Sequence, residues 1–193
     1  MAVPEKKPQL VMAWPRPFLG SLPRVEPEAG YACRTYEPGD EQGYFRLMAQ
    51  AGFEGWNEEK LQPFLAKILP DGWFMAVHCS SRELVATAMA THNPAAWHPF
   101  GGELGWVAGA PSHAGHGLGK LVCAAVTVRF LRAGYRNIYL RTDDHRLPAI
   151  KVYLALGYLP FLCATDMRRR WTEVFQRLDW PCRPDAWMEA PPL

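Results

Sequence analysis

Between residues 103 and 120 a strand-like run, Glu103 to Gly109, empties into a loop with glycines at 115, 117 and 119 that opens a helix. Strand, glycine-rich loop and helix start together restrict both fold and ligand. Glycine removes the side chains that would hold a ligand off the backbone, and the first amides of the helix lack intrahelical acceptors. Such a loop suits an anion, above all a pyrophosphate. Two common phosphate loops do not fit. A P-loop needs glycine at Ala114 and Ser or Thr at Leu121, and the dinucleotide fingerprint needs its third glycine at Lys120.

A chain of 193 residues suits one domain with its own core. A formal charge of +2 gives no general footprint for nucleic acid or an anionic membrane. The cysteines at 33, 79, 123, 163 and 182 have no paired spacing for zinc or redox chemistry. Most fall in apolar runs, where a thiol acts as a small hydrophobe, so the expected compartment is the reducing cytoplasm. Prolines interrupt the N-terminus before a signal-peptide core can form, and no apolar run approaches a membrane span.

Residues 1–29 hold six prolines, which predicts an extended segment whose apolar patch, Leu10 to Trp14, docks on the domain. The domain proper is expected over 30–163 and a helical tail over 164–193. Strands are read at about 31–36, 72–79, 83–91, 103–109, 138–142 and 158–163. Helices are read from a cap at Asp40 to Gly52, from Asn57 to about 69, from the glycine loop to Gly134, from Leu147 to Gly157, and in the tail. Pro63 argues for a break or late start in the second helix. In the tail, Trp171, Val174, Phe175 and Leu178 share a face, and the preceding Arg168, Arg169 and Arg170 are read as a solvated helix start or a lure for an acidic acceptor.

Ala114 to Gly119 resembles the pyrophosphate loop of the GNAT superfamily of acetyl-CoA-dependent N-acetyltransferases, Arg/Gln-x-x-Gly-x-Gly/Ala, with alanine in place of the leading Arg or Gln. The run from Asp143 to Tyr158 resembles the family's second signature, Asn-x-x-Ala-x-x-x-Tyr-x-x-x-Gly-Phe/Tyr, with Arg146 in place of the asparagine. Residues 31–40 are similar to the family's opening strand and turn. The resemblance covers roughly residues 30 to 163. It implies a single α/β GNAT-type domain, a mixed central β-sheet flanked by helices on both faces, with acetyl-CoA as co-substrate and no metal.

The resemblance also implies roles. Val107 and Gly109 would pair with the pantetheine amides on a strand that splays from its neighbour, and Val107 would polarise the thioester carbonyl. Gly115, His116, Gly117, Leu118, Gly119 and Lys120 would hold the pyrophosphate, and Arg146 is read either as a further phosphate contact or as an exposed first-turn arginine. Glu103 matches the catalytic base of family members that acetylate histones. Tyr153 matches the tyrosine that protonates the departing thiolate, a role suited to a phenol with an ordinary pKa near ~10. Trp56 and Trp97 are candidate acceptor contacts. The expected reaction is direct acetyl transfer to a small-molecule or peptide amine in a ternary complex. The alternative is a non-catalytic acyl-CoA-binding domain. Neither nucleic acid nor membrane is an expected partner, and the residues leave a homodimer open.

Overall fold

A computed structural model describes residues 7–190. Its strands form a single eight-stranded sheet in the order β2-β3-β4-β5-β6-β1-β7-β8. In chain order these are β1 (Leu10–Ala13), β2 (Tyr31–Thr35), β3 (Ile68–His78), β4 (Leu84–His92), β5 (Gly101–Gly109), β6 (Asn137–Thr142), β7 (Leu159–Leu162) and β8 (Met188–Glu189). The helices are α1 (Glu41–Gln50), α2 (Glu58–Leu65), α3 (Leu118–Arg132), α4 (Leu147–Leu156) and α5 (Met167–Leu178). Strands β2 to β5 form an antiparallel meander, and β5 runs parallel to β6. The sheet is therefore mixed, as expected.

The N-terminal segment is part of this sheet. Strand β1 lies between β6 and β7, antiparallel to both, with Leu10 opposite Thr142 and Val11 opposite both Arg141 and Phe161. All four of its residues are buried. A short continuous apolar run is what a strand covered on both faces requires. Trp14 extends the anchor by packing edge-on against Tyr158, whose hydroxyl shares a 2.8 Å hydrogen bond with that of Thr127 in α3.

Helix α3 is buried on almost every side, as its apolar sequence demands. A Cβ at Gly102 would come within 2.5 Å of the Phe130 ring on α3, so glycine lets this helix sit close on β5. Glu103, next along the strand, points to the opposite face. Local signals hold at several element ends. The Asn57 side chain caps α2 by accepting from the Lys60 amide at 3.0 Å, and Gly157 ends α4 at φ 108°.

Other boundaries differ from the sequence reading. Helix α2 stops at Leu65 with Pro63 inside it, and β3 begins at Ile68. Asp40 caps nothing with its side chain; its carboxylate takes both ends of the Arg34 guanidinium, at 2.6 and 2.8 Å. Within the arginine cluster Arg168 and Arg169 are exposed at the start of α5, as a solvated helix start requires, and only Arg170 departs from that reading. Arg168 pairs with Glu189 and Arg169 with Glu173, while Arg170 is buried and fork-bonded to Asp144 at 2.5 and 3.0 Å. That bond ties α5 to the loop between β6 and α4 and holds the Asp144 carboxyl well below the usual carboxylate range.

Candidate active site

Parallel pairing of β5 with β6 covers Gly101 to Glu103 against Asn137 to Tyr139 and goes no further. Past that fork the strands part. A cleft of about 430 Å³ opens between them, lined by Glu103 to Val107 on one side and Tyr139 to Asp143 on the other. Phe53 and Phe64 close it from the α1–α2 side, and Ala149 and Tyr153 of α4 close it from the other.

A bulge shapes the β5 wall. Between the β4 pairs Thr87–Ala108 and Met89–Gly105, β5 carries one extra residue, and Trp106 within it has a left-handed backbone at φ 54°. A bulky residue there costs about 1–3 kcal/mol and persists only when its surroundings dictate it. They do here: the Trp106 ring lies 4.1 Å from Trp56, 4.6 Å from Phe64 and 6.2 Å from Phe53. Bulges re-aim backbone groups, and this one sits where Gly105 and Gly109 leave open space on β5. No local sequence signal marked Trp106; its conformation comes from the tertiary aromatic cluster.

At the fork, Glu103 receives Arg141 through Nε at 2.7 Å and Nη2 at 2.8 Å, and the Asn93 amide also donates to it. The Tyr139 hydroxyl donates to the Asn93 carbonyl at 2.7 Å. Tyr153 reaches the cleft from α4 and is buried, and burial pushes its phenol well above the ordinary tyrosine value. Its hydroxyl has no protein hydrogen-bond partner among the described residues. A protonated phenol faces the cleft at neutral pH.

Beyond Gly109 a single 3₁₀ turn, Pro111–His113, leads to Gly115 at φ 93° and Gly117 at φ 67°, both left-handed. A Cβ at either would meet no atom within 4 Å, so the outer face of the loop is bare. Leu121 is the first residue to donate back into α3, to Gly117 at 3.0 Å, leaving the amides of Leu118, Gly119 and Lys120 without helical acceptors. These residues fit the phosphates of a coenzyme. His116 turns aside to Glu28, 3.2 Å away, and His113 shares a 3.0 Å hydrogen bond with Tyr31. No cluster of three or more metal-ligating side chains occurs among the described residues.

Three predicted residues stand elsewhere than expected. Trp97, expected at the acceptor site, packs on Tyr139 and Phe161 and borders a separate cavity near the start of β6. Trp56 does not line the cleft; it backs the wall by packing, tilted, on Trp106. Arg146 lies in the cleft, 4.6 Å over the Phe53 ring, while the loop residues His116, Gly117 and Lys120 border a different cavity.

A mixed sheet that splays beside a bulge, with a glycine loop at the start of the next helix, is the arrangement that the resemblance to the GNAT superfamily implies. The chain belongs to the acetyltransferase (GNAT) family, whose model matches residues 41–158. It is 30% identical over 151 residues to mycothiol acetyltransferase of Actinosynnema mirum, covering 72% of this chain and 48% of that protein. The chain thus spans about half the length of the curated relatives it matches. The crystal structure of a GCN5-related N-acetyltransferase from Sphaerobacter thermophilus shares the fold, with a TM-score of 0.61, 24% identity, and coverage of 80% of this chain and 49% of that one. A NatC complex bound to Gag peptide and CoA shares it at a TM-score of 0.56 and 16% identity, over 66% of this chain and 83% of that one.

Proposed function

We propose that this protein transfers the acetyl group of acetyl-CoA directly to an amine of a small molecule or peptide. The observation that carries this reading is the fork after Glu103 and Tyr139, which opens a cleft lined by β5 as far as Val107 and by Tyr153. Bound acetyl-CoA supplies an activated acetyl group as a thioester. The protein's share is to hold it, to polarise its carbonyl and to move two protons.

Backbone groups of Val107 and Gly109 pair with the pantetheine arm, and the bulge that contains Trp106 turns the Val107 amide toward the thioester oxygen. Such a preorganised donor stabilises charge that develops in the transition state. The amides of Gly115 to Lys120 receive the pyrophosphate, with the Lys120 side chain adding charge. As the amine nitrogen bonds to the carbonyl carbon, its proton must leave. Glu103 takes it through a bridging water, because Arg141 and Asn93 already occupy the carboxylate. Tyr153 donates its proton to the sulfur as the C–S bond breaks, giving the free thiol and the amide. A phenol that lines the cleft without a protein hydrogen-bond partner among the described residues favours this reading over passive acyl-CoA binding. A cytoplasmic location fits the free thiols, of which Cys123 is fully buried.

The test is a screen of thiol release from acetyl-CoA with small amines, amino acids, polyamines and peptide N-termini, beside a melting curve with and without acetyl-CoA. A ligand that binds only the folded state raises its melting temperature. A positive shift with acceptor-dependent thiol release is expected. A shift without release from any acceptor would favour the binding-only alternative, and no shift would overturn both.

A further inference from the structure

Arg146 lines the cleft beside Tyr153 and not the cavity that the glycine loop borders. It caps α4, and Arg146, Ala149 and Tyr153 all line the cleft at the three- and four-residue spacing of one helix face. Seven residues separate Arg146 from Tyr153, about 10 Å along the axis. Its guanidinium carbon lies over Phe53, 4.6 Å from the ring centroid, and its Nε donates to Asp143 at 3.2 Å. Its two terminal nitrogens have no protein partner among the described residues. One edge of the fork is held and the other faces the cleft.

The surrounding charges sharpen this. The cleft carries Lys67, Arg141 and Arg146 against Glu103 and Asp143. Arg141 and Glu103 satisfy one another with two hydrogen bonds. Asp143 is shared between Arg146 and Gln9, whose amide donates to it at 3.2 Å. Lys67, just before β3, has no ion-pair partner among the described residues. An excess of positive charge therefore remains on the acceptor side, around the rings of Phe53, Phe64 and Trp106. The glycine-loop residues His116, Gly117 and Lys120 border another cavity.

We propose that Arg146, supported by Lys67, binds a carboxylate of the acceptor, so that the substrate is an amine carrying its own carboxylate a few bonds away, an amino acid or short peptide. A guanidinium matches a carboxylate in two parallel hydrogen bonds, and Phe53 holds its plane in place. The amine then lies toward Glu103 and Tyr153, with the apolar part of the acceptor against Phe64 and Trp106. This assignment rests on the acetyl-transfer reading and adds the acceptor class to it.

The experiment uses pairs of free amino acids and dipeptides with their C-terminal amides, assayed by thiol release from acetyl-CoA in wild type, Arg146→Met and Arg146→Lys. In wild type, an acid is expected to exceed its amide in kcat/KM by about tenfold or more, the ratio a charge-assisted pair supports. In Arg146→Met that ratio falls to near one, and Arg146→Lys restores part of it, because an ammonium supplies charge without the fork. Calorimetric affinity for acetyl-CoA is measured on the same samples. Acids and amides used equally by wild type would overturn the proposal, as would an unchanged ratio in Arg146→Met accompanied by weaker acetyl-CoA binding, which would give the guanidinium to the coenzyme. Failure of acetyl-CoA to shift the wild-type melting curve would instead overturn the acetyl-transfer reading beneath it.

Discussion

Strand β6 has two edges with opposite fates. On one, β1 pairs with it over four consecutive positions, from Leu10 opposite Thr142 to Ala13 opposite Tyr139. On the other, β5 pairs with it at three positions and then departs. The sealed edge is made of buried apolar side chains; the open one is lined by Glu103, Arg141, Tyr153 and the bare backbone of Gly105. An unpaired strand edge inside a protein is costly, since buried backbone groups need partners. The contrast teaches that β6 can keep one edge free for a ligand because its other edge is fixed along its length, with Trp106 and its aromatic neighbours keeping β5 apart.

The largest effect is expected from breaking the sealed edge. Met12→Asp would bury a charge between two strands, a change of the class that costs more than about 4–5 kcal/mol, so little folded protein should survive in circular dichroism. A melting temperature close to wild type would show that β1 is dispensable to the sheet. Next comes the bond that fixes the end of β6: Arg170→Met leaves Asp144 without its buried partner and should cost about 3–5 kcal/mol in denaturant unfolding. Because Asp144 is held below the usual carboxylate range, its contribution is fully present above the unfolded-state pKa of about 4 and fades as pH falls below that. Wild type should therefore lose stability more steeply than Asp144→Asn as pH falls below about 4; parallel curves would contradict the assignment.

On the open edge the expected signature is reversed, with activity lost and stability kept. Tyr153→Phe removes a hydroxyl without a protein partner, so the melting temperature should barely move while kcat falls by about a hundredfold or more. Wild-type turnover in this variant would return the tyrosine to a packing role. The smallest effect is expected at the loop. Gly117→Val strains a left-handed position by about 1–2 kcal/mol and places side chain where phosphate would approach, so acetyl-CoA affinity should drop. Gly134→Ala, also left-handed at φ 79° but at the far end of α3, should lose stability alone. Equal losses of affinity would point to general destabilisation.

The open edge was largely legible in the sequence, because its signals are local. Glycines at 115 and 117 mark left-handed turns, and the spacing from Ala149 to Tyr153 marks one helix face. The sealed edge was not. Leu10 to Ala13 reads as an apolar patch, and that it pairs with residues about 130 and 150 positions away is a long-range choice that periodicity cannot reveal. Its unbroken apolar character, bounded by Pro8 and Pro15, was the available sign of a strand buried on both faces. Arg170 also carried a sign: it falls on the stripe of Met167, Trp171 and Val174, where a solvated arginine would be out of place. Trp106 carried none, since its backbone is dictated by three rings, two from the α1–α2 connection and one from α2.

Amide hydrogen exchange with and without saturating acetyl-CoA tests the central claim most directly, because it reads both edges of β6 in one sample. Peptides over residues 105–109 and 115–120 are expected to gain protection, while residues 10–13 stay at their already slow rates. Unchanged exchange across 105–109 and 115–120, or protection confined to regions away from the fork, would contradict a coenzyme site between β5 and β6.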